Sequence, residues 1–102
     1  MTDKYILNAA GEPEPCDDLF TWGRWMQNGS RVVKQEQVNG AKVSTVFLGL
    51  DHRWTPEMKP ELFETMVFGG NHADHQERYA TRDEAVAGHE RIVAMVRDTT
   101  CP

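Results

Sequence analysis

Four residues that can act as acids, bases or ligands stand next to the clearest structural patterns of the sequence. Asp51 and His52 directly follow an apolar run over 43–50, and a carboxylate beside an imidazole can orient or charge it. Glu64 lies inside a second apolar run, where a carboxylate needs a donor partner or stays protonated. His89 falls among the apolar positions of a helical pattern. If these elements share one small fold, the four residues could form a hydrolytic or metal-assisted site.

Each of these residues also has a structural interpretation. Asp51 and His52 fit a turn aspartate followed by a surface histidine. Glu64 fits a structural salt bridge or an exposed edge-strand position, and its candidate partners are Arg24, Arg31, His52 and His89. His89 fits a core histidine with satisfied hydrogen bonds, or a pair with Glu64 that titrates as a unit across a sheet–helix interface.

Two arginine–tryptophan pairs are the candidates for ligand binding. Guanidinium groups suit phosphate, while indole rings stack on bases or anchor protein interfaces. The predicted contacts are Arg24, Trp25, His52, Arg53 and Trp54. Ordinary packing remains an equal alternative for both tryptophans, and Trp22 is expected in the core.

Metal and cofactor motifs are weak in this sequence. His72 and His75 have a spacing similar to that of metal ligands, but structural zinc usually takes four closely spaced ligands. The sequence contains no phosphate loop, nucleophile elbow or dinucleotide fingerprint. We therefore expect neither a resident metal nor a cofactor.

Length and charge narrow the class of protein. The chain has 102 residues, 39% of them hydrophobic, which fits one small domain over 1–102. Its net charge is −5, from 16 acidic and 11 basic residues that are scattered, so direct nucleic-acid binding is not expected. No leader and no long apolar run is visible, which predicts a cytoplasmic protein without membrane contact. Cys16 and Cys101 are expected to be reduced thiols.

The first half of the chain contains a short helix and a hairpin. Residues 4–7 read as a strand, 12–15 as a stiff extended connector, and 19–27 as a helix with an apolar stripe at Leu19, Trp22 and Met26. Asn39-Gly40 between two strand-like runs predicts a type I′ hairpin. The two-residue loop then places Val38 opposite Ala41 and Val32 opposite Phe47.

The second half predicts two further strands and a long helix. Residues 62–68 are apolar on both faces and are expected at the centre of the sheet, and 77–80 form a short fourth strand. Thr81 and Glu84 form a capping box, after which the apolar helical positions are Ala85, Gly88, His89, Ile92, Val93 and Val96. The prediction is an α+β fold. A three- to four-stranded, mainly antiparallel sheet carries the C-terminal helix on one face, with a short N-terminal helix beside it.

The segments 18–25, 43–52, 62–70 and 79–89 together resemble a group of small phage and prophage proteins of unassigned function. The resemblance spans most of residues 5–96. It implies a viral or prophage origin and a small stand-alone protein, and it supplies no catalytic residues. By analogy, phage proteins of this size are often accessory or counter-defence factors that occlude a host protein or sequester a nucleotide signal.

The leading prediction is therefore a non-enzymatic phage accessory protein of the counter-defence kind. It would bind a host protein or a small nucleotide-like ligand in the host cytoplasm. A homo-oligomer is expected, because a small two-layer sheet leaves a face or an edge to cover. The alternatives are a small hydrolase or metal-assisted enzyme that uses Asp51, His52, Glu64 and His89, and a virion or assembly component.

Overall fold

A four-stranded sheet, a separate two-stranded sheet and two helices make up the fold. The computed structural model describes residues 3–53 and 55–98, so the predictions for Trp54 and Cys101 lie outside the described residues. The elements are β1 (Tyr5–Leu7), β2 (Pro13–Pro15), α1 (Leu19–Asn28), β3 (Val32–Val38), β4 (Ala41–Phe47), β5 (Phe63–Phe68), β6 (Gln76–Tyr79) and α2 (Arg82–Asp98). The predicted α+β class is confirmed.

The larger sheet is an antiparallel meander in the order β3-β4-β5-β6, and α2 packs across one of its faces. β5 lies inside the sheet, as its apolar pattern predicted. Side chains alternate between the two faces of each strand. Phe63, Thr65 and Val67 therefore face α2, whereas Glu64 and Met66 face the other way.

The hairpin between β3 and β4 has the predicted turn. Asn39 and Gly40 have φ angles of 52° and 83°, and Val38 pairs with Ala41. The predicted pairing of Val32 with Phe47 is wrong, because Val32 pairs with Val46. A β-bulge between Val32 and Lys34 inserts one residue into β3 and shifts the register beyond it.

The core lies between α2 and the sheet. α2 begins with the predicted capping box, in which Thr81 Oγ1 accepts from Glu84 N at 3.1 Å and Glu84 Oε1 accepts from Thr81 N at 3.1 Å. The six predicted inward positions of α2 are all buried. They meet the buried side chains of Val43, Phe47, Phe63 and Val67. At about 1.5–3 kcal/mol for each fully buried apolar side chain, this layer is the main source of stability.

The N-terminal part of the chain, residues 3–31, contains a single buried residue, Cys16. The connector predicted over 12–15 is in fact strand β2, which pairs with β1. Its prolines fit because they favour an extended backbone and are tolerated at an edge, where no amide donor is needed. α1 contains no buried residue. Neither helix in the described part of the chain combines the length and the apolar character that a membrane span needs.

Candidate functional site

Asp51 organises the loop that follows β4. Its Oδ1 accepts backbone hydrogen bonds from Arg53 and Glu61 at 3.0 Å each, and its Oδ2 lies 2.6 Å from Arg53 Nε. Arg53 also donates to the carbonyl of Met58 at 3.0 Å. Both charged groups are thus used to close this loop, with Nε and Nη1 of Arg53 already bonded. His52 is exposed beside them.

Glu64 forms the structural salt bridge that its sequence context predicted, but with a different partner. Its Oε2 accepts from Arg78 Nε at 3.0 Å and from the side-chain amide of Gln76. None of the four predicted cationic partners is involved in these bonds. Arg78 lies directly opposite Glu64 in the β5–β6 ladder, where side chains on one face are neighbours. A correct prediction of the pairing register between β5 and β6 would have identified Arg78 as the partner of Glu64.

His89 is a core histidine with both ring nitrogens engaged. It is fully buried, with Nδ1 at 2.7 Å from Thr45 Oγ1 and Nε2 at 2.8 Å from Glu36 Oε1. Thr45 Oγ1 in turn lies 2.5 Å from Thr65 Oγ1. We call Thr65, Thr45, His89 and Glu36 the buried polar chain. The predicted pairing of His89 with Glu64 is wrong, because the sheet separates them and the carboxylate that His89 meets is Glu36.

The buried polar chain has the residue types of a catalytic triad without access for a substrate. A hydroxyl, an imidazole and a carboxylate follow one another at hydrogen-bond distances, the order that activates a nucleophile in hydrolases. The hydroxyl of Thr45 is fully buried beneath α2, and so is that of Thr65. A buried polar group stays favourable only while it is bonded. The arrangement therefore satisfies the interior of the protein and offers no reacting atom to solvent.

A second polar cluster surrounds Glu77 at the edge of the sheet. Glu77 accepts two hydrogen bonds from Arg91, at 2.6 and 2.9 Å, and lies 3.0 Å from His75 Nε2. Hydrogen bonding from Arg91, more than that from His75, lowers the pKa of Glu77 to about 2. His75 is thus engaged with Glu77. Within residues 3–53 and 55–98, no group of three or more His, Cys, Asp or Glu side chains is arranged to hold a metal ion.

Arg24 and Trp25 meet at a surface groove between α1 and β3. One hollow of about 420 Å³ is lined by Thr21, Arg24, Trp25, Asn28 and Gly29. A second hollow, also about 420 Å³, shares Gly29 with the first and is lined by Ser30, Arg31, Val32, Val46 and Phe47. We call the two hollows the α1 groove. Trp25 is half-buried, so it has a packing role in addition to the predicted contact role.

An exposed apolar surface on α1 was missed by the sequence prediction. Leu19, expected to be buried in the helix stripe, is 58% exposed, and Phe20 is 79% exposed. Trp22 and Met26 from the same stripe do turn toward the body, where Trp22 Nε1 donates to the Gly49 carbonyl at 3.0 Å. The sequence did contain a sign of this surface. Phe20 lies outside the stripe of Leu19, Trp22 and Met26, and it belongs to no other apolar pattern.

The structure thus separates the residues that the sequence grouped. Asp51 and Arg53 stabilise a loop, Glu64 lies on the face of the sheet away from α2, and His89 lies on the face beneath it. The resemblance to small phage proteins stays a prediction. No protein-family model, no curated protein and no solved structure matches this chain.

Proposed function

We propose that this chain is a phage accessory protein that acts by binding a host protein through the outer face of α1, which consists of Leu19, Phe20 and Gly23. The observation that carries the proposal is the exposure of 79% for Phe20 and 58% for Leu19 in a helix without a single buried residue. Isolated exposed apolar residues are common, but two adjacent ones on an amphipathic helix form an anchor.

Helical geometry places Phe20 away from the protein body. Trp22, Trp25 and Met26 contact the body, through the Gly49 carbonyl, the Phe47 ring and the Gly49 backbone respectively. At 3.6 residues per turn, Phe20 falls on the opposite side of the helix, and Gly23 lies between the two sides with open space beside it. The half of α1 that packs and the half that is open to a partner are therefore distinct.

Gly23 supports the same interpretation. A glycine inside a helix costs about 1 kcal/mol relative to alanine. A Cβ at this position would meet no atom within 4 Å, so nothing in the described part of the chain requires a glycine there. Next to the exposed ring of Phe20, Gly23 forms a notch in which the backbone of another protein can approach closely.

Charge indicates what kind of partner fits. The segment leading into α1 carries the exposed carboxylates Glu12, Glu14, Asp17 and Asp18. Interfaces pair surfaces of opposite potential, which speeds association and excludes wrong partners. The partner should therefore present an apolar cleft with a basic rim, into which the outer face of α1 inserts.

The proposal favours binding over catalysis because of where the chemistry-bearing groups lie. Thr45, Thr65 and His89 are fully buried, and Asp51 is held by Arg53 and by two backbone amides. Of the residues of the hydrolase alternative, Asp51, Glu64 and His89 are thus engaged in separate structural contacts, and His52 is exposed apart from them. The exposed apolar surface on α1 has no comparable internal role.

Site-specific photo-crosslinking tests the proposal. A benzophenone amino acid replaces Phe20 in one variant and Val86, which is 38% exposed on α2, in a control. After irradiation in host lysate, we expect one host protein to be captured from position 20 and not from position 86. Its affinity, measured with the purified partner, should fall roughly 30-fold for F20S, the size of an interface hot spot, and remain unchanged for V86S.

Three outcomes would contradict the proposal. Equal capture from both positions would indicate nonspecific contact, and an unchanged affinity for F20S would exclude the outer face as the interface. A crosslinked species of twice the chain mass would show that a second copy occupies this face, which would place the predicted homo-oligomer there instead of a host protein.

A further inference from the structure

The α1 groove has a lining that differs from the rest of this acidic protein. The chain carries 16 Asp and Glu against 11 Lys and Arg, yet no carboxylate from the described residues lines either hollow. Arg24 lines one hollow and Arg31 the other. A cavity with cationic groups and without carboxylates selects anions.

The two arginines keep their hydrogen-bonding capacity for a ligand. Arg53, Arg78 and Arg91 are each bound to a carboxylate. Among residues 3–53 and 55–98, neither Arg24 nor Arg31 forms an ion pair within 4.0 Å. Arg24 acts on Asp18 only through longer-range attraction, a small contribution to the lowered pKa of a carboxyl that is mainly held by Thr21 and the Phe20 amide.

Trp25 supplies a fixed aromatic surface in the same groove. The edge-to-face contact of its ring with Phe47, at 5.5 Å between centroids and 88°, holds one side of the indole. The backbone of Gly29 covers part of the ring so closely that a Cβ there would lie 2.6 Å from Trp25 Cε2. The remaining surface lines the hollow. Because these contacts already fix the ring in the free protein, it loses little conformational entropy when a ligand stacks on it.

We propose that the α1 groove binds a nucleoside phosphate, with the base on the indole of Trp25 and the phosphate on the guanidinium groups of Arg24 and Arg31. Guanidinium forms two parallel hydrogen bonds to phosphate, and base–aromatic stacking tolerates any base. Each hollow, at about 420 Å³, falls within the range of small-molecule sites. Arg24 lies one helical turn after Phe20, so this site borders the outer face proposed to bind a host protein, and the two share none of their proposed contact residues.

Calorimetric titration with three probes tests the ligand class. Adenosine 5′-monophosphate carries both groups, adenosine lacks the phosphate, and ribose 5-phosphate lacks the base. We expect the nucleotide to bind at least tenfold more tightly than either fragment. Binding of the nucleotide, but not of adenosine, should weaken as salt rises, because the phosphate contact is ionic.

Charge-matched variants locate the site. R24Q and R31Q should each weaken nucleotide binding about tenfold and leave adenosine binding unchanged. R97Q removes the same charge from the last turn of α2, near the β3–β4 turn at the opposite end of β3 from Arg31, and should have no effect. W25F should weaken the binding of nucleotide and adenosine alike, and circular dichroism confirms that each variant is folded.

The proposal is overturned if the nucleotide gives no saturable heat at millimolar concentration. It is also overturned if R97Q weakens binding as much as R24Q and R31Q do, since general attraction would then explain the result. Phe20 lines neither hollow, so F20S should keep nucleotide binding intact, and a loss of binding in folded F20S would overturn the assignment of the contacts to Arg24, Trp25 and Arg31.

Discussion

The buried polar chain beneath α2 and the surface of α1 both contain residue types that could carry function, and they differ in how many of their bonding groups are left without a partner. Thr45 and His89 are fully buried and bonded to each other, and Glu36 completes the set. On α1, Phe20 is largely exposed and Arg24 forms no ion pair within the described residues. Residue types that suit catalysis do not make a site; exposed groups with free bonding capacity are the better guide.

The largest expected effect comes from removing the centre of the buried polar chain. H89A removes one of the two hydrogen-bond partners of Thr45 Oγ1, leaving only Thr65, and opens a cavity, so it should lower the free energy of unfolding by about 3 kcal/mol. Urea denaturation measures the loss. E36Q keeps an acceptor at a side chain that is 31% exposed and should cost less than about 1 kcal/mol. If H89A and E36Q lower the free energy of unfolding equally, His89 is not the residue that stabilises the buried polar chain.

A smaller loss is expected at Gly88, the neighbour of His89 on α2. A Cβ at Gly88 would overlap the ring of Tyr79. Overpacking destabilises the folded state by about 1–3 kcal/mol, whereas the higher helix propensity of alanine stabilises it by up to about 1 kcal/mol. G88A should therefore lower the free energy of unfolding by about 1–2 kcal/mol, as measured by urea denaturation. A gain in stability would show that the Tyr79 ring moves aside freely.

A glycine-to-alanine substitution on α1 should have the opposite effect on stability, and this effect should be the smallest of the three. G23A adds a Cβ that meets no atom within 4 Å, so the free energy of unfolding should rise by about 0.5–1 kcal/mol. Thermal unfolding of G23A and G88A, measured side by side, compares the two helices directly. If G23A destabilises the protein instead, the outer face of α1 packs against the protein's own chain, and the proposed interface loses its support.

Local signals in the sequence predicted most of the fold. The capping box at Thr81 and Glu84, the helical spacing of α2 and the Asn39-Gly40 turn each act over a few residues, and the structure confirms all three. The bulge in β3 was not predictable from the hairpin loop, because a type I′ turn fixes the register only where the strands stay regular.

The candidate site was less predictable because it depends on contacts distant in sequence. His89 meets Glu36 across 53 positions, and no pattern distinguished Glu36 from Glu64 as its carboxylate. Which face of β5 lies beneath α2 decides this, and that choice follows from packing of the whole sheet. The exposure of Phe20 has the same origin, since the docking of α1 depends on its contacts with Phe47 and Gly49.

The β-bulge in β3 also bears on how this protein avoids aggregation. β3 is a seven-residue strand at one edge of the sheet, and a long regular edge is a template for uncontrolled pairing between molecules. The bulge interrupts its ladder next to Lys34, and the opposite edge, β6, has only four residues. Both edges are therefore poor substrates for strand addition. Because Phe20 is exposed on a helix, it adds no further strand edge to these two.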